Sequence, residues 1–336
     1  MSSVFSRPAR RPILKTAAAV LATFALAACG TTEAPAAGDP AAAAKPSGPV
    51  HLTDERGKVD LPGPAAKIVS LEWGLTENLL ALGVKPIGAA DVKGYNTYDK
   101  VLPLAESTPD VGTRGEPSLG AIAALHPDLV VTTTDLPENV IAQLAKQTKV
   151  LTLRGSDSAD PIGYLRKTVT TLSEATGTQE QGRKLLTEFD AKVSEGKKKL
   201  ADAGKSGAKF VMADGYSTSG TVTVRMYTKG SFLGAVAEQL GAANQWTGEG
   251  DKVYGLAPTD VEGLTKIADP ATTFVYAANA AESDVFTQDL AGNAVWKQLP
   301  FVKAAKLHRI PDGIWMFGGP KSAIAYVDAL AAALTR

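Results

Sequence analysis

Residues 178–203 read TQEQGRKLLTEFDAKVSEGKKKLADA, and this stretch decides the architecture of the chain. Its apolar residues recur at the spacing of one helix face: Leu185, Leu186, Phe189, Val193 and Leu200. Gly177 interrupts the preceding helical pattern, and Thr178 can cap the new helix. At about 1.5 Å per residue the helix would be roughly 39 Å long, more than a typical domain helix. Because it falls in the middle of the chain, it is predicted to join two lobes.

Short apolar runs alternate with helical patterns on both sides of this long helix. Before it, strands are predicted at 67–71, 86–89, 129–132 and 149–153, and helices at 75–82, 118–125, 138–146 and 161–175. After it, strands are predicted at 210–213, 222–225, 273–276 and 307–310, and helices at 231–240, 259–267 and 321–334. Strands that alternate with helices indicate an α/β fold with mainly parallel strands.

The two halves of the chain weakly resemble each other. Residues 118–130 show a short helical pattern, a proline turn and a strand, and residues 259–270 lead into the same order. We therefore predict two Rossmann-like α/β lobes, at 50–177 and 204–336, joined by the single interlobe helix. A cleft between two such lobes is a common ligand site.

Residues 1–29 have the layout of a secretory signal peptide. Four basic residues and no acidic one precede an apolar run at 17–28. That run has about 12 residues, whereas a helix needs roughly 20 to span a bilayer. The sequence Leu26-Ala27-Ala28-Cys29 resembles the bacterial lipobox, which predicts a diacylglycerol on Cys29 and an extracytoplasmic protein anchored to the cell membrane by lipid. An ordinary signal peptide with a chance cysteine and a short transmembrane helix are the alternatives.

The composition of the remaining chain argues against several functions. Residues 30–49 are rich in Ala, Pro and Gly, which predicts a flexible tether between the membrane and the globular part. Cleavage before Cys29 would leave 31 Lys+Arg against 35 Asp+Glu, a net charge of −4, which argues against nucleic-acid binding. Cys29 is the only cysteine, so the globular part has no thiol for a disulfide, a metal or nucleophilic catalysis.

Patterns for catalysis and metal binding are weak. The only histidines are His51, His126 and His308, too few in the loops of a cleft for a histidine-rich metal site. The segment 215–219 departs from the Gly-x-Ser-x-Gly nucleophile elbow because Ser219 stands where the final glycine belongs. A protein that is not an enzyme and has no metal site is therefore predicted. An extracytoplasmic hydrolase or an assembly factor stays as the alternative.

Aromatic side chains cluster in loops and at strand ends, where they can stack on the apolar faces of a ligand. They are Trp73, Tyr95, Tyr98, Tyr216, Tyr227, Trp246, Tyr254, Trp315 and Phe317. The alternative is that about half of the aromatic residues, especially Trp73, Trp296 and Tyr326, simply pack in the core.

Arg114 lies just before a predicted helix start, in the segment Gly112-Thr113-Arg114-Gly115-Glu116-Pro117. A guanidinium group at this place offers a planar fork of hydrogen-bond donors to ligand oxygens. The alternative is a surface ion pair between Arg114 and Glu116.

Several segments, in matching order, resemble ferric-siderophore-binding proteins, the solute receptors of ABC importers. They are residues 68–73, 77–88, 111–119, 228–233 and 295–304. The resemblance extends roughly from residue 50 to the C-terminus and points to the periplasmic ferric-hydroxamate-binding type. It implies a class III periplasmic-binding-protein fold, in which one long backbone helix holds two lobes with little hinge motion.

The ligand of that family is an iron(III) complex already wrapped by a chelator. The resemblance therefore implies a ferric siderophore, of hydroxamate type, as the transported ligand, with no resident cofactor and no protein ligand to the iron. By position, Arg114 matches an arginine that hydrogen-bonds hydroxamate oxygens, Tyr254 matches an aromatic wall, and Trp315 matches a second cleft tryptophan. Cobalamin, haem and ferric citrate are alternative cargoes for the same fold.

One tyrosine of the ferric-hydroxamate-binding proteins is not matched, since residues 135–137 read Asp-Leu-Pro at its place. Candidates to replace it are Tyr95, Tyr216, Arg225 and Tyr227. Several strongly basic residues in the cleft would instead favour citrate or a catecholate, so the type of chelator depends on where these side chains lie.

The family often presents one surface glutamate per lobe to arginines of the permease. Glu262 matches in the second lobe, whereas Gly120 stands where the first lobe usually has a glutamate. Either Glu116 takes that place or docking is lopsided, and a merely solvated charge is the alternative for Glu262. The resemblance thus implies a monomeric receptor whose partners are the siderophore, an ABC permease and the membrane.

Overall fold

The computed structural model describes residues 48–336. The predicted signal peptide, the lipidation site Cys29 and the tether up to residue 47 lie outside the described residues. Across residues 48–336, no helix combines the length and the apolar character that crossing a bilayer requires.

An antiparallel hairpin of β1 (Val50–Asp54) and β2 (Gly57–Leu61) precedes the predicted alternation of strands and helices. Buried and exposed residues alternate along both strands, as they do in a strand with one solvated face. The buried residues Leu52, Val59 and Leu61 pack into the apolar cluster that covers one face of the next sheet.

The first lobe contains a four-stranded parallel sheet in the order β4-β3-β5-β6. Its strands are β3 (Ile68–Ser70), β4 (Gly88–Ala89), β5 (Leu129–Thr133) and β6 (Val150–Leu153). Its helices are α1 (Trp73–Ala81), α2 (Val92–Tyr98), α3 (Leu119–Ala124), α4 (Glu138–Leu144) and α5 (Pro161–Thr176). Separate apolar clusters cover the two faces, since Leu129 and Val131 belong to one and Val130 to the other.

Helix α2 occupies a segment whose two tyrosines, Tyr95 and Tyr98, were predicted to lie in a loop, and that prediction is wrong. The helix forms because Asp91 caps it, with the carboxylate accepting a hydrogen bond from the backbone N–H of Gly94 at 3.0 Å. A single short capped helix between two loops gives little periodicity, so the sequence pattern alone did not reveal it.

The predicted interlobe helix is present as α6 (Gln179–Asp202), and it follows α5 after one left-handed residue, Gly177, with φ of 68°. Its apolar stripe is shared between two cores, because Leu185 packs in the first lobe whereas Phe189 and Leu200 pack in the second. A single rigid element therefore joins the two lobes.

The second lobe contains a six-stranded mixed sheet with the path β10-β8-β7-β11-β12, and β9 pairs with β7. Its strands are β7 (Lys209–Thr218), β8 (Thr221–Tyr227), β9 (Ala243–Asn244), β10 (Leu256–Thr259), β11 (Thr273–Tyr276) and β12 (Leu307–Arg309). Its helices are α7 (Phe232–Gln239), α8 (Ala294–Gln298), α9 (Pro300–Lys303) and α10 (Pro320–Leu334). The pairs β7–β8 and β8–β10 are antiparallel, and the others are parallel.

The prediction of a helix from Thr259 through residue 267 is wrong. Thr259 ends strand β10 and pairs with Val224 on β8, and only a short 3-10 helix, Gly263–Lys266, follows. Thr259, the polar residue that suggested a helix cap, pairs with β8 instead, and this tertiary contact outweighs the local helix preference.

Candidate functional site

A cleft of about 580 Å³ lies between the two lobes, within the size range of small-molecule sites. From the first lobe it is lined by Glu72, Trp73, Tyr98 and Arg114. From the second lobe it is lined by Asp214, Gly215, Tyr216, Arg225, Tyr254, Leu256, residues 277–279, Glu282, Pro311 and residues 313–317. Glu72 follows β3 and residues 277–279 follow β11, so the cleft lies at the carboxyl ends of parallel strands, where α/β sheets commonly bind ligands.

Arg114 lies in this cleft, and Glu72 rather than Glu116 is its partner. Its Nη1 donates hydrogen bonds to Glu72 Oε1 at 3.0 Å and Oε2 at 3.4 Å. Its guanidinium carbon lies 3.9 Å from the ring centroid of Trp73 and 5.6 Å from that of Trp315. The guanidinium group is thus held by a carboxylate and by an aromatic face, while about a third of the side chain stays exposed at 38%.

Glu72 was not a candidate in the sequence, and the structure gives it two tasks. Its carboxylate caps α1 by accepting from the backbone N–H of Trp73 at 3.0 Å, and it also binds Arg114. Burial raises the pKa of Glu72, and the charge and hydrogen bond of Arg114 oppose that rise. Its place directly after a buried strand was the available signal.

Five aromatic rings form a continuous wall of the cleft. Tyr98 stacks on Trp73 with 5.6 Å between centroids, and Trp73 meets Trp315 edge to face at 5.0 Å. Phe317 continues the wall, with centroids 5.2 Å from Trp315 and 5.3 Å from Tyr254. Such a surface suits a ligand with an apolar carbon skeleton.

Arg225 also lines the cleft, and it is paired. It lies opposite Asp214 in the β7–β8 ladder, and Arg225 Nε donates to Asp214 Oδ1 at 2.8 Å while Nη2 donates to Oδ2. Burial lowers the pKa of Arg225, but the hydrogen bond and charge of Asp214 outweigh this and raise it. The exposed ring of Tyr216 lies 5.8 Å from the guanidinium carbon.

Two of the predicted ligand-binding residues do not line the cleft. Tyr95 and Tyr227 are fully buried. The Tyr95 hydroxyl donates to the carbonyl of Leu102 at 2.6 Å, and the Tyr227 hydroxyl lies 3.3 Å from Asp214 Oδ2 and 3.0 Å from Met316 Sδ. Both phenols therefore stabilise the protein interior and are not available to a ligand.

The alternative interpretation, that aromatic residues simply pack in the core, is correct for some of them and only partly correct for Trp73. Trp296 and Tyr326 lie in the apolar clusters of the second lobe. Trp73 is 4% exposed, yet one part of it lines the cleft and supports Arg114. Trp246, also buried, does not line the cleft.

Two tyrosine–carboxylate hydrogen bonds connect the lobes at the cleft. The Tyr254 hydroxyl donates to Asp135 Oδ2 of the first lobe, and the Tyr98 hydroxyl donates to Glu282 Oε1 of the second lobe. Burial and then the hydrogen bond to Glu282 raise the pKa of Tyr98 to about 12. Asp135 lies at the position where the ferric-hydroxamate-binding proteins have a tyrosine that this chain lacks. Nothing in the sequence indicated that Tyr98 and Glu282 form a pair.

The remaining candidates lie away from the cleft. Glu262 and Glu116 are exposed, and Gly120 is an exposed residue of α3. Ser217 of the imperfect nucleophile elbow lies within β7, paired with Val222, rather than in a strand-to-helix turn. In the part of the chain that the structure describes, no group of three or more His, Cys, Asp or Glu side chains is arranged to hold a metal ion.

Known proteins resemble this chain in sequence and in fold. The profile of the periplasmic binding protein family matches residues 68–313. The iron(3+)-hydroxamate-binding protein FhuD of Escherichia coli is 27% identical over 270 residues, which cover 79% of this chain and 85% of that protein. A probable siderophore-binding lipoprotein of Bacillus subtilis, YfiY, is 28% identical over 291 residues, which cover 80% of this chain and 82% of that protein.

A solved structure agrees with these relatives. The siderophore-binding protein FhuD of Vibrio cholerae, crystallised with Fe3+-Desferal, superposes with a TM-score of 0.70 and 26% sequence identity, over 80% of this chain and 98% of that chain. The predicted resemblance and the class III two-lobe fold are thereby confirmed. The chain belongs to the family of periplasmic binding proteins, whose members are solute-binding proteins and not enzymes.

Proposed function

We propose that this chain is an extracytoplasmic lipoprotein that captures a ferric siderophore of hydroxamate type and delivers it to an ABC importer. The observation that carries the proposal is Arg114, which Glu72 and Trp73 hold in the lining of an interlobe cleft with aromatic walls. Relatives named for iron(III) hydroxamate and siderophore binding support the assignment of the cargo.

The cleft provides what a wrapped iron chelate needs. Hydroxamate groups already occupy the coordination sites of the iron, so the protein has to bind only the outside of the complex. Arg114 uses one of its terminal nitrogens on Glu72, and its remaining N–H groups can donate to hydroxamate oxygens. Trp315 and Tyr254 offer ring surface to the carbon skeleton.

Delivery would follow from the anchor and the exposed glutamates. A diacylglycerol on Cys29 and the tether at 30–49 would keep a monomeric receptor beside its permease in the same membrane. Glu262, with Glu116 in place of a glutamate at residue 120, would meet arginines of the permease. Glu262→Arg is then expected to lower siderophore uptake by cells without changing the affinity of the purified chain.

The cargo is tested by titrating the purified full-length chain and following tryptophan fluorescence. The ligands are ferric hydroxamates, a ferric catecholate, ferric citrate, haem and cobalamin. Quenching by a ferric hydroxamate at micromolar concentration is expected, because Trp73 and Trp315 lie at the cleft. If no ferric hydroxamate quenches while another of these ligands does, the proposed cargo is wrong.

A further inference from the structure

The cleft has charged side chains that are paired and others that are not. If the chain has the proposed function, this difference affects which ferric hydroxamates the cleft accepts. Each cleft arginine already has its own carboxylate, since Arg114 pairs with Glu72 and Arg225 pairs with Asp214. Neither guanidinium group therefore contributes an unbalanced positive charge to a ligand.

Two further carboxylates have no cationic partner among residues 48–336. Glu282 lines the cleft from the second lobe, and Asp135 follows β5 in the first lobe. Each accepts a hydrogen bond from a tyrosine of the opposite lobe instead of an ion pair, Glu282 from Tyr98 and Asp135 from Tyr254. A phenol orients a carboxylate without cancelling its charge, and a carboxylate can accept several hydrogen bonds at once. The cleft region is thus left with a negative excess.

The charge of an iron chelate depends on its binding groups. Hydroxamates carry one negative charge each, so a trihydroxamate neutralises iron(III), whereas a triscatecholate or a ferric citrate complex is an anion. An anionic chelate would displace water from Glu282 and face it at short range, where like charges repel more strongly than in bulk solvent. A protonated amine on a neutral trihydroxamate would instead find an acceptor with free lone pairs.

We infer that the cleft selects a ferric trihydroxamate that carries a protonated amine outside its iron-binding groups, and that Glu282 receives the ammonium group. Tyr98 positions the Glu282 carboxylate for this contact. Asp135 adds to the negative potential from the opposite lobe. Glu282 is therefore a residue that determines specificity, in addition to Arg114, which contacts the chelate oxygens.

The test compares two chelates that differ in one charge. Ferrioxamine B carries a terminal ammonium group, and its N-acetyl derivative has the same iron core without that charge. The full-length chain is expected to bind ferrioxamine B up to about five-fold more tightly, since one partly exposed ion pair contributes at most about 1 kcal/mol. The preference should shrink as salt is added, because exposed charges are screened.

Variants assign the preference to a residue. Glu282→Gln keeps an acceptor for Tyr98 and is expected to bind both chelates with equal affinity. Glu106→Gln removes an exposed carboxylate outside the cleft lining and should keep the wild-type preference.

The outcomes separate the two proposals. Equal affinity of the wild-type chain for both chelates would overturn the charge selection and leave the proposed function intact. Binding of another ferric hydroxamate but of neither of these two chelates would also overturn the charge selection alone, whereas failure of every ferric hydroxamate would overturn the proposed function itself. A preference that survives in Glu282→Gln would remove Glu282 from the assignment, and because the wild-type comparison needs no variant, poor folding of Glu282→Gln cannot obscure the result.

Discussion

Glu77 on α1 accepts two hydrogen bonds from Ser322 on α10, one from the backbone N–H at 2.9 Å and one from the hydroxyl at 2.7 Å. Both residues are fully buried, and they belong to different lobes. The Ser322 hydroxyl also accepts from the backbone N–H of Trp315 at 3.2 Å. A buried contact between the lobes is thereby connected to a wall of the cleft.

Ser322→Ala should destabilise the protein by about 1–3 kcal/mol, because the Glu77 carboxylate and the Trp315 N–H would each lose a buried partner. Urea unfolding followed by far-UV circular dichroism measures this change. Ser194→Ala, which removes an exposed hydroxyl on α6, is the matched control and should stay within about 0.5 kcal/mol of wild type. Equal stability of the two variants would show that the interlobe bond contributes nothing.

Asp99 is expected to make the free energy of unfolding depend on pH. Burial, and then the negative charge of Glu77, raise the pKa of Asp99 from 3.8 to about 9. A raised pKa means that folding favours the protonated carboxyl, so its stabilisation is complete below pH 3.8 and is lost as the pH rises towards 9. Between pH 6 and 9 the wild-type free energy of unfolding should therefore fall, by up to about 1.4 kcal/mol per pH unit from this group.

Asp99→Asn is expected to remove that part of the slope, since the amide resembles the protonated acid and does not titrate. Urea unfolding at several pH values measures the difference between the two proteins. Glu249→Gln, at an exposed position, should keep the wild-type slope. Parallel stability curves for wild type and Asp99→Asn would contradict the assignment.

Gly196 allows α6 to lie close to α10. A Cβ atom at this position would lie 2.5 Å from Val327 Cγ1 and 3.2 Å from Leu240 Cδ2, so Gly196→Ala should cost about 1–3 kcal/mol through overpacking. Gly120→Ala is the matched control, because nothing lies within 4 Å of its Cβ position in α3 and alanine is the better helix former there. Thermal unfolding of both variants should give shifts of opposite sign, and a stabilised Gly196→Ala would disprove the close approach.

Arg114→Ala should weaken the binding of a ferric hydroxamate by about 10- to 100-fold, the loss expected for hydrogen bonds from a charged group. Arg114→Lys should recover only part of it, because an ammonium group lacks the planar fork and stacks poorly on Trp73. Fluorescence titration measures both affinities, and Arg183→Ala, on the exposed side of α6, serves as control. An unchanged affinity of Arg114→Ala would remove Arg114 from the binding site.

Much of the fold could be predicted because it depends on local patterns. Two local patterns are present in the structure: the alternation of buried strands with helices, and the apolar stripe along α6. Both are set by the spacing of apolar residues that are close together in the sequence. The segment after Thr259 could not be predicted, because its state depended on the pairing of Thr259 with Val224, 35 positions earlier in the chain.

The candidate site was predictable in residue type but not in arrangement. Tyr95 and Tyr98 lie on the same short helix, yet one is buried and the other lines the cleft, because the docking of α2 on the lobe decides which face is covered. The partner of Arg114 proved to be Glu72, which the loop sequence around Arg114 does not contain.

The amino-acid sequence by itself determined where most of the helices and strands form, where the interlobe helix runs, and which residues could serve as donors and aromatic surfaces. Only the tertiary structure decided that both cleft arginines are neutralised, by Glu72 and Asp214, and that Glu282 is not. The reason is physical. Periodicity depends on neighbours along the chain, whereas Coulomb interactions and hydrogen bonds act over a few ångströms between elements that folding alone brings together.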